Sequence, residues 1–349
     1  MSKGTLRLGL IGCGPRGHEH VKAALATEQF EFSAVADLDA KRLGDLSEKY
    51  NPKKRYGDFN EMLSKEAPFD VVHLCTQPTL RKKAIIAALA AKAKAIVIEK
   101  PMALDYTEAA TLVKLCQDGG ALLVVNHQKR NMIEWTTLRE TVTSGKLGDV
   151  KMLRSSCYGN LLNQGTHMLD MAWNVLGEPK PLWLLAGADS RVNEYPTHPA
   201  PRNTLVLMAY DNGVRANFAI GADAPEVPNS RCEWFWCNVE VRGTLGRAES
   251  VLDQGFKRWD KDGNLVESKI SRWDDEFQGA GQAKISADIA RALREPNFKH
   301  PQRGESALVG FACMEAACRS ALNGGKVIEF PLTTGEDALA KWSRREGGK

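Results

Sequence analysis

The run LRLGLI at residues 6–11 leads directly into Gly12-Cys13-Gly14-Pro15-Arg16-Gly17, a glycine-rich turn that opens a helical segment. No other feature constrains the fold as strongly. A strand entering a helix through this spacing of glycines is the first βα unit of a doubly wound parallel sheet, with unpaired N–H groups of the helix N-terminus offered to a phosphate. Apolar runs at 32–36, 71–75, 95–98 and 122–125 alternate with segments of helical composition at 15–27, 40–50, 80–91 and 106–117. Strands that are apolar nearly throughout must be covered on both faces, so residues 1–126 are expected to form an α/β Rossmann domain.

Beyond a helical segment at 131–143 the pattern changes. Runs at 150–157, 181–186, 204–210, 214–220, 235–241 and 246–252 read as strands separated by Gly, Asn, Asp and Pro turns. Asp211-Asn212-Gly213 is a hairpin signal. Helical segments at 281–294 and 305–323 are expected to cover one face of that sheet, which makes residues 127–349 an α+β domain with a large, mostly antiparallel open sheet. The charged segment from Ala338 onward reads as peripheral.

Composition narrows the function. With 47 basic and 43 acidic residues spread along the chain, no dense basic block exists to neutralise a run of phosphates, which argues against a nucleic-acid partner. No segment approaches the ~20 apolar residues of a bilayer span, and the N-terminus lacks a signal-peptide core, so a cytoplasmic location and no membrane partner are expected. The eight cysteines are scattered. Cys232 with Cys237 and Cys313 with Cys318 are close pairs, but neither has a zinc-knuckle or redox-dithiol spacing, and no metal site is expected.

Five polar clusters fall at predicted strand ends: the glycine turn, Asp37, Thr76-Gln77-Pro78, Glu99-Lys100-Pro101 and Asn126-His127. In a doubly wound sheet those ends converge on one ligand. Asp37 lies twenty positions beyond Gly17, where a carboxylate can bond the ribose hydroxyls of a dinucleotide and repel a 2′-phosphate, favouring NAD over NADP; Arg42 softens that preference. Lys100 is the first candidate for acid-base work. Oxidising a carbinol carbon requires a base within reach of its hydroxyl, and burial beside a positively charged ring lowers a lysine from its usual ~10.4. Thr166 is a candidate N-cap, which would place His167 in a first helical turn where the dipole disfavours imidazolium, with Asp170 on the same face. His127, Arg130, Asn163 and Asp170 are candidate substrate contacts, Trp234, Phe235 and Trp236 a candidate sugar-stacking or interface patch, and His18 and His20 are expected to do no chemistry.

On Glu99-Lys100-Pro101, the glycine turn, the 144–150 stretch SGKLGDV, Gly165-Thr166-His167-Met168-Leu169-Asp170 and the 325–331 stretch GKVIEFP, the chain resembles the glucose-fructose oxidoreductase and inositol dehydrogenase family, Gfo/Idh/MocA. The resemblance runs from about residue 6 to 331. It implies an NAD- or NADP-binding Rossmann domain, a second domain whose open sheet packs in homodimers or homotetramers, and a sugar, polyol or similar substrate oxidised at a hydroxyl-bearing carbon. It also implies that Lys100 is the acid-base residue and that His167 contacts the substrate. Asn163 stands where many relatives have aspartate, Arg81 where histidine is common, and the link from Cys157 to Asn163 is short. Two other readings stay open: a redox-neutral, NAD-dependent enzyme that cleaves glycosides with retained cofactor, and a non-catalytic NAD- or sugar-binding protein.

Overall fold

The computed structural model describes residues 4–189, 199–228, 230, 236–270 and 275–343. The chain divides into two compact units. The first comprises Met1–Ala103, Glu108–Gln128 and Asp275–Leu308; the second comprises Leu104–Thr107, Lys129–Asp274 and Val309–Lys349.

The first unit is a parallel six-stranded sheet in the order β3-β2-β1-β4-β5-β6. Its strands are β1 (Leu6–Ile11), β2 (Phe30–Ala36), β3 (Lys54–Tyr56), β4 (Val71–Leu74), β5 (Ala95–Glu99) and β6 (Leu122–Asn126). Between them run α1 (Pro15–Leu25), α2 (Ala40–Tyr50), α3 (Phe59–Glu66), α4 (Pro78–Ala90) and α5 (Tyr106–Asp118). All four residues of β4 and all five of β5 are buried, as strands sandwiched between helices must be. Asp39 caps α2 by accepting from the backbone N–H groups of Lys41 and Arg42, and Asp58 caps α3 in the same way. Helices α1 and α4 begin with proline after Gly14 and Gln77, and neither has a side-chain cap, so their first-turn N–H groups stay available at the ligand end of the sheet.

The late helix α8 (Asp275–Arg294) belongs to this unit, a correction to the expectation that it covers the second sheet. Ile285 and Ile289 join Leu8, Leu10, Val21 and Ala24 in one core cluster, at 1 % and 0 % exposure. Full burial of each contributes roughly 1.5–3 kcal/mol, enough to fix the helix against α1. Arg294 closes the arrangement by donating to the Gln29 side chain (2.6 Å) and the Gly4 carbonyl (3.1 Å). A following turn protects the β6 edge, where the Val125 N–H donates to the Gln302 carbonyl at 3.0 Å.

The second unit is built on a nine-stranded sheet in the order β14-β13-β12-β11-β7-β10-β9-β8-β15. Its strands are β7 (Val150–Cys157), β8 (Pro181–Ala188), β9 (Asn203–Tyr210), β10 (Arg215–Gly221), β11 (Cys237–Gly243), β12 (Gly246–Val251), β13 (Gly255–Asp260), β14 (Leu265–Lys269) and β15 (Ile328–Glu329). Every pairing is antiparallel except β7 with β10. The expected hairpin joins β9 to β10, with Gly213 at φ +85°. Alternation along β9 buries Val206 and Met208 and leaves Leu205 and Leu207 exposed. This unit also holds helices α6 (Ile133–Thr143), α7 (Thr166–Val175) and most of α9 (Gly304–Leu322), and the Ser320 hydroxyl of α9 accepts from the Ala186 N–H of β8 at 2.8 Å. No helix among the described residues is long and apolar enough to cross a membrane.

The described start of the C-terminal segment, residues 338–343, is not peripheral. Helix α10 (Ala338–Ser343) buries Leu339 and Trp342. Its first N–H groups, from Ala338 and Leu339, donate to the two oxygens of Glu315 at 2.7 and 3.0 Å, and Arg319 Nε donates to the same carboxylate at 2.8 Å. Glu315 is 0 % exposed, so it acts as a helix cap and as half of a buried ion pair. Glu315→Ala is expected to lower the unfolding free energy by about 3 kcal/mol, measured as a shift of the urea midpoint at constant m.

Candidate functional site

The three glycines of the turn divide their work as the motif requires. Gly12 has φ +99°, and a Cβ there would meet the Cys75 carbonyl oxygen at 2.5 Å, because β1 and β4 approach each other closely where the strand order reverses. A Cβ on Gly17 would stand 2.2 Å from the Gly12 oxygen, so α1 can pack onto the turn only without a side chain. At Gly14 a Cβ would meet nothing within 4 Å. The open space over the second glycine, beside the uncapped start of α1, is the cradle that a pyrophosphate requires. Asp37 braces this cradle. Its Oδ2 accepts from the Cys13 N–H at 2.6 Å and its Oδ1 from the Asp39 N–H at 2.8 Å, which holds a carboxylate at the ribose position. Burial, and then the charge of Asp37, raises the Cys13 thiol to about 12, so it stays protonated. Arg42 pairs with Asp39 at 3.4 Å.

Glu99 closes β5 with 6 % exposure. Its Oε1 accepts from Arg16 Nε (2.9 Å), His20 Nε2 (2.8 Å) and Asn126 Nδ2 (2.7 Å). Burial alone would raise its pKa, but the His20 hydrogen bond and the Arg16 charge hold it well below the usual carboxylate range. Behind His20 stands His73, Nδ1 to Nδ1 at 3.0 Å. Burial, with the His20 charge, keeps the His73 pKa well below the ordinary histidine value. Arg81 bonds the Pro101 carbonyl and, at 3.3 Å, the Thr76 carbonyl, which ties together the loops after β4 and β5. Burial lowers its pKa to about 10, against the opposing charge of Glu99. Lys100 follows Glu99 and is half-buried.

The first unit thus brings together the glycine turn, Asp37, Thr76, Gln77, Pro78, Glu99 and Lys100 at the carboxyl ends of its strands. His127 is buried in this unit just beyond β6, its N–H donating to Gln302 Oε1 at 3.1 Å. Residue-by-residue reading of the sequence missed His73, named Asn126 only as part of a strand-end cluster, and expected no chemistry of His20, which here bonds Glu99. A signal for His20 was present, since it lies four positions after Arg16 and both face Glu99.

In the second unit, residues 161–165 form a π-helical turn that runs directly into α7, with Asn160 as its cap: Asn160 Oδ1 accepts from the Asn163 N–H at 2.7 Å. Thr166 is therefore not an N-cap. It has helical dihedrals, φ −56° and ψ −43°, and His167 lies well inside a continuous helix at 2 % exposure. Arg130 donates from Nε and Nη2 to the two oxygens of Asp170 at 2.5 and 2.6 Å, a buried bidentate pair. Lys129 Nζ donates to Gln164 Oε1 at 3.1 Å beside them, a buried lysine that the sequence did not single out. Asn163 is half-buried. Of the aromatic patch, Trp234 and Phe235 lie outside the described residues, as does Cys232; Trp236 is buried and packs against Tyr158 at 6.2 Å.

The Gfo/Idh/MocA oxidoreductase family, through its NAD-binding Rossmann fold, matches residues 6–127, and its C-terminal alpha/beta domain matches residues 154–329. The chain belongs to this family. Within Gfo/Idh/MocA, it is 26 % identical over 263 residues to trans-1,2-dihydrobenzene-1,2-diol dehydrogenase of Mus musculus, covering 70 % of this chain and 74 % of that one. It is 31 % identical over 149 residues to inositol 2-dehydrogenase of Rhizobium meliloti strain 1021, covering 43 % and 44 %. Its fold is similar to that of an oxidoreductase from Agrobacterium radiobacter solved with NAD+, L-tartaric acid and magnesium. There the TM-score is 0.79 at 20 % identity, over 93 % of this chain and 98 % of that one. NAD is the cofactor of this Gfo/Idh/MocA chain, and the open cradle at Gly14 with the carboxylate of Asp37 fits it.

Gly14→Ala is expected to leave Tm unchanged and to weaken NADH binding by at least about tenfold, read by fluorescence titration. The His73 network has its own signature. Below about pH 6.5 an unfolded chain protonates a histidine that the folded chain keeps neutral, so stability falls with falling pH by about 1.4 kcal/mol per pH unit. In His73→Gln, chemical denaturation between pH 6.5 and 5 is expected to show this slope reduced by about that amount.

Proposed function

We propose that this oxidoreductase oxidises a secondary hydroxyl of a sugar, polyol or related small molecule with NAD, and reduces the corresponding ketone in reverse. The observation that carries this reading is the placement of Lys100 at the carboxyl end of β5, on the same sheet edge as the dinucleotide cradle. The relatives named as inositol and dihydrodiol dehydrogenases support a substrate bearing neighbouring hydroxyls. Bound NAD supplies the acceptor for the hydrogen and two electrons that leave the carbinol carbon.

Lys100 Nζ is the proposed base. In its neutral form it takes the hydroxyl proton, and in the reverse direction it returns that proton to the alkoxide oxygen. Arg81 holds the loops on either side of it, which limits how far the ammonium can wander. His167 is the proposed substrate contact in the second unit, with Asn163 beside it. An amide at Asn163 donates and accepts hydrogen bonds but carries no charge to strengthen a proton relay. Asp170 and Arg130 satisfy each other, so we assign them to holding the start of α7 rather than to substrate. Exposed Leu205 and Leu207 make the open sheet face our candidate for self-association into a homodimer or homotetramer.

The test is a panel of sugars, polyols, keto sugars and glycosides read out for both NADH absorbance and released aglycone. NADH accumulation with a polyol or sugar is expected, and Lys100→Ala is expected to lower kcat by a factor of about 10²–10⁴ while NADH binding persists. Aglycone release without NADH would replace this reading with redox-neutral glycoside cleavage. Tight NADH binding without turnover of any member would replace it with a sensor.

A further inference from the structure

Arg81 is a buried cation whose hydrogen bonds carry no negative charge. It is 2 % exposed, and its guanidinium donates to main-chain oxygens, from Nη1 to the Pro101 carbonyl and from Nη2 to the Thr76 carbonyl at 3.3 Å. Among the described residues no carboxylate lies within ion-pair distance of it, and its buried Nε–H meets no acceptor. The carboxylates whose charge reaches it from farther away are Glu99 and Glu108. Glu99 is already matched at close range by Arg16, 2.9 Å from its Oε1.

The local backbone does not offset this charge. Arg81 is the fourth residue of α4, close to the positive end of the helix dipole, and no acidic side chain occupies that first turn. Taking a guanidinium out of water destabilises a fold unless an anion accompanies it, and two carbonyl contacts recover only part of the loss. A guanidinium does not deprotonate near neutral pH, so the charge is permanent. Sealed from direct contact with a ligand, it acts through its field.

The field falls on one half of the sheet. The order β3-β2-β1-β4-β5-β6 consists of two three-stranded halves, each suited to one mononucleotide. Asp37, directly after β2, marks the adenosine half, which leaves β4-β5-β6 to the nicotinamide half. Thr76 follows β4 and Pro101 follows β5 and Lys100, so the Arg81 guanidinium bridges the carboxyl ends of two strands of the nicotinamide half. The nicotinamide ring is cationic in NAD+ and neutral in NADH, and a fixed positive charge near it distinguishes the two. We propose that Arg81 sets the redox preference of the dinucleotide site, weakening NAD+ relative to NADH. Hydride transfer to the ring removes the ring's charge, so the same field favours oxidation of the bound substrate; the hydride carries the two electrons and the hydroxyl proton leaves separately to the base. The assignment rests on dinucleotide binding and holds whichever substrate is oxidised.

Calorimetric titration with NAD+, NADH and ADP-ribose, which has no nicotinamide ring, tests the assignment without turnover. Arg81→Gln removes the charge and keeps a donor for the loop carbonyls; Arg81→Met removes the charge and leaves no buried polar group. In both, the ratio of the NAD+ Kd to the NADH Kd is expected to fall about tenfold from the wild-type value, which lowers the potential of the bound cofactor by about 30 mV. Arg81→Lys, which retains a cation, is expected to keep most of the wild-type ratio, and ADP-ribose affinity is expected to stay unchanged throughout. Either neutral variant decides if the other does not fold. An unchanged ratio in the neutral variants would overturn the assignment. Equal weakening of all three ligands would overturn it as well, because Arg81 would then only brace the two loops.

Discussion

Taking a carboxylate out of water costs several kcal/mol unless charge and hydrogen bonds compensate it, and Glu99 is compensated by groups from three places in the chain. Arg16 comes from the first turn of α1, His20 from its middle and Asn126 from the end of β6. These donors bind the phosphate turn, the α1 face and the far strand of the sheet to the tip of β5. Lys100 is the next residue, so the acid-base candidate inherits its position from a charge network rather than from apolar packing. On its other side Arg81 braces the same tip through backbone carbonyls. A permanent cation there cannot switch protonation near neutral pH, whereas a histidine at that position would titrate.

Much of this architecture is legible in the sequence. The limits of β1, α2 and β7 follow from their residues, because continuous apolar runs and clear helix signals leave no competing assignment. What escapes is local and polar. β3 is three residues, Lys-Arg-Tyr, on a sheet edge, and nothing in that composition signals a strand. α3 is short, although Asp58 with Glu61 three positions later is a readable cap signature. β13 and β14 carry charges on much of their length, since they lie at the end of the second sheet, where alternation buries little. The placement of α8 could not be read at all: the spacing of Ile285 and Ile289 says that one face is buried but not against what.

The site divides in the same way. The glycine turn, Asp37 and Lys100 could be read because each is fixed by a motif at a strand end. His20 and His73 are separated by 53 positions, and each alone reads as an ordinary core histidine. Only tertiary structure brings their rings together. In the second unit the reading of Thr166 failed because a π-helical turn lengthens the helix upstream, moving the cap to Asn160. Arg130 and Asp170 looked like substrate ligands in sequence, and their bidentate pairing shows how completely two opposite charges forty residues apart can satisfy each other.

The assignment of α8 to the first unit bears on how the polypeptide acquires its structure during synthesis. Strands β1 to β6 have all left the ribosome more than a hundred residues before Ile285 and Ile289 appear, so the apolar face of α1 must wait uncovered until the late helix arrives. Discontinuous units of this kind cannot mature strictly from the N-terminus onward. A gene fragment ending near residue 128 would make a sheet with its dinucleotide turn but without the cover that Ile285 and Ile289 supply, leaving a surface prone to aggregation and a natural binding site for a chaperone.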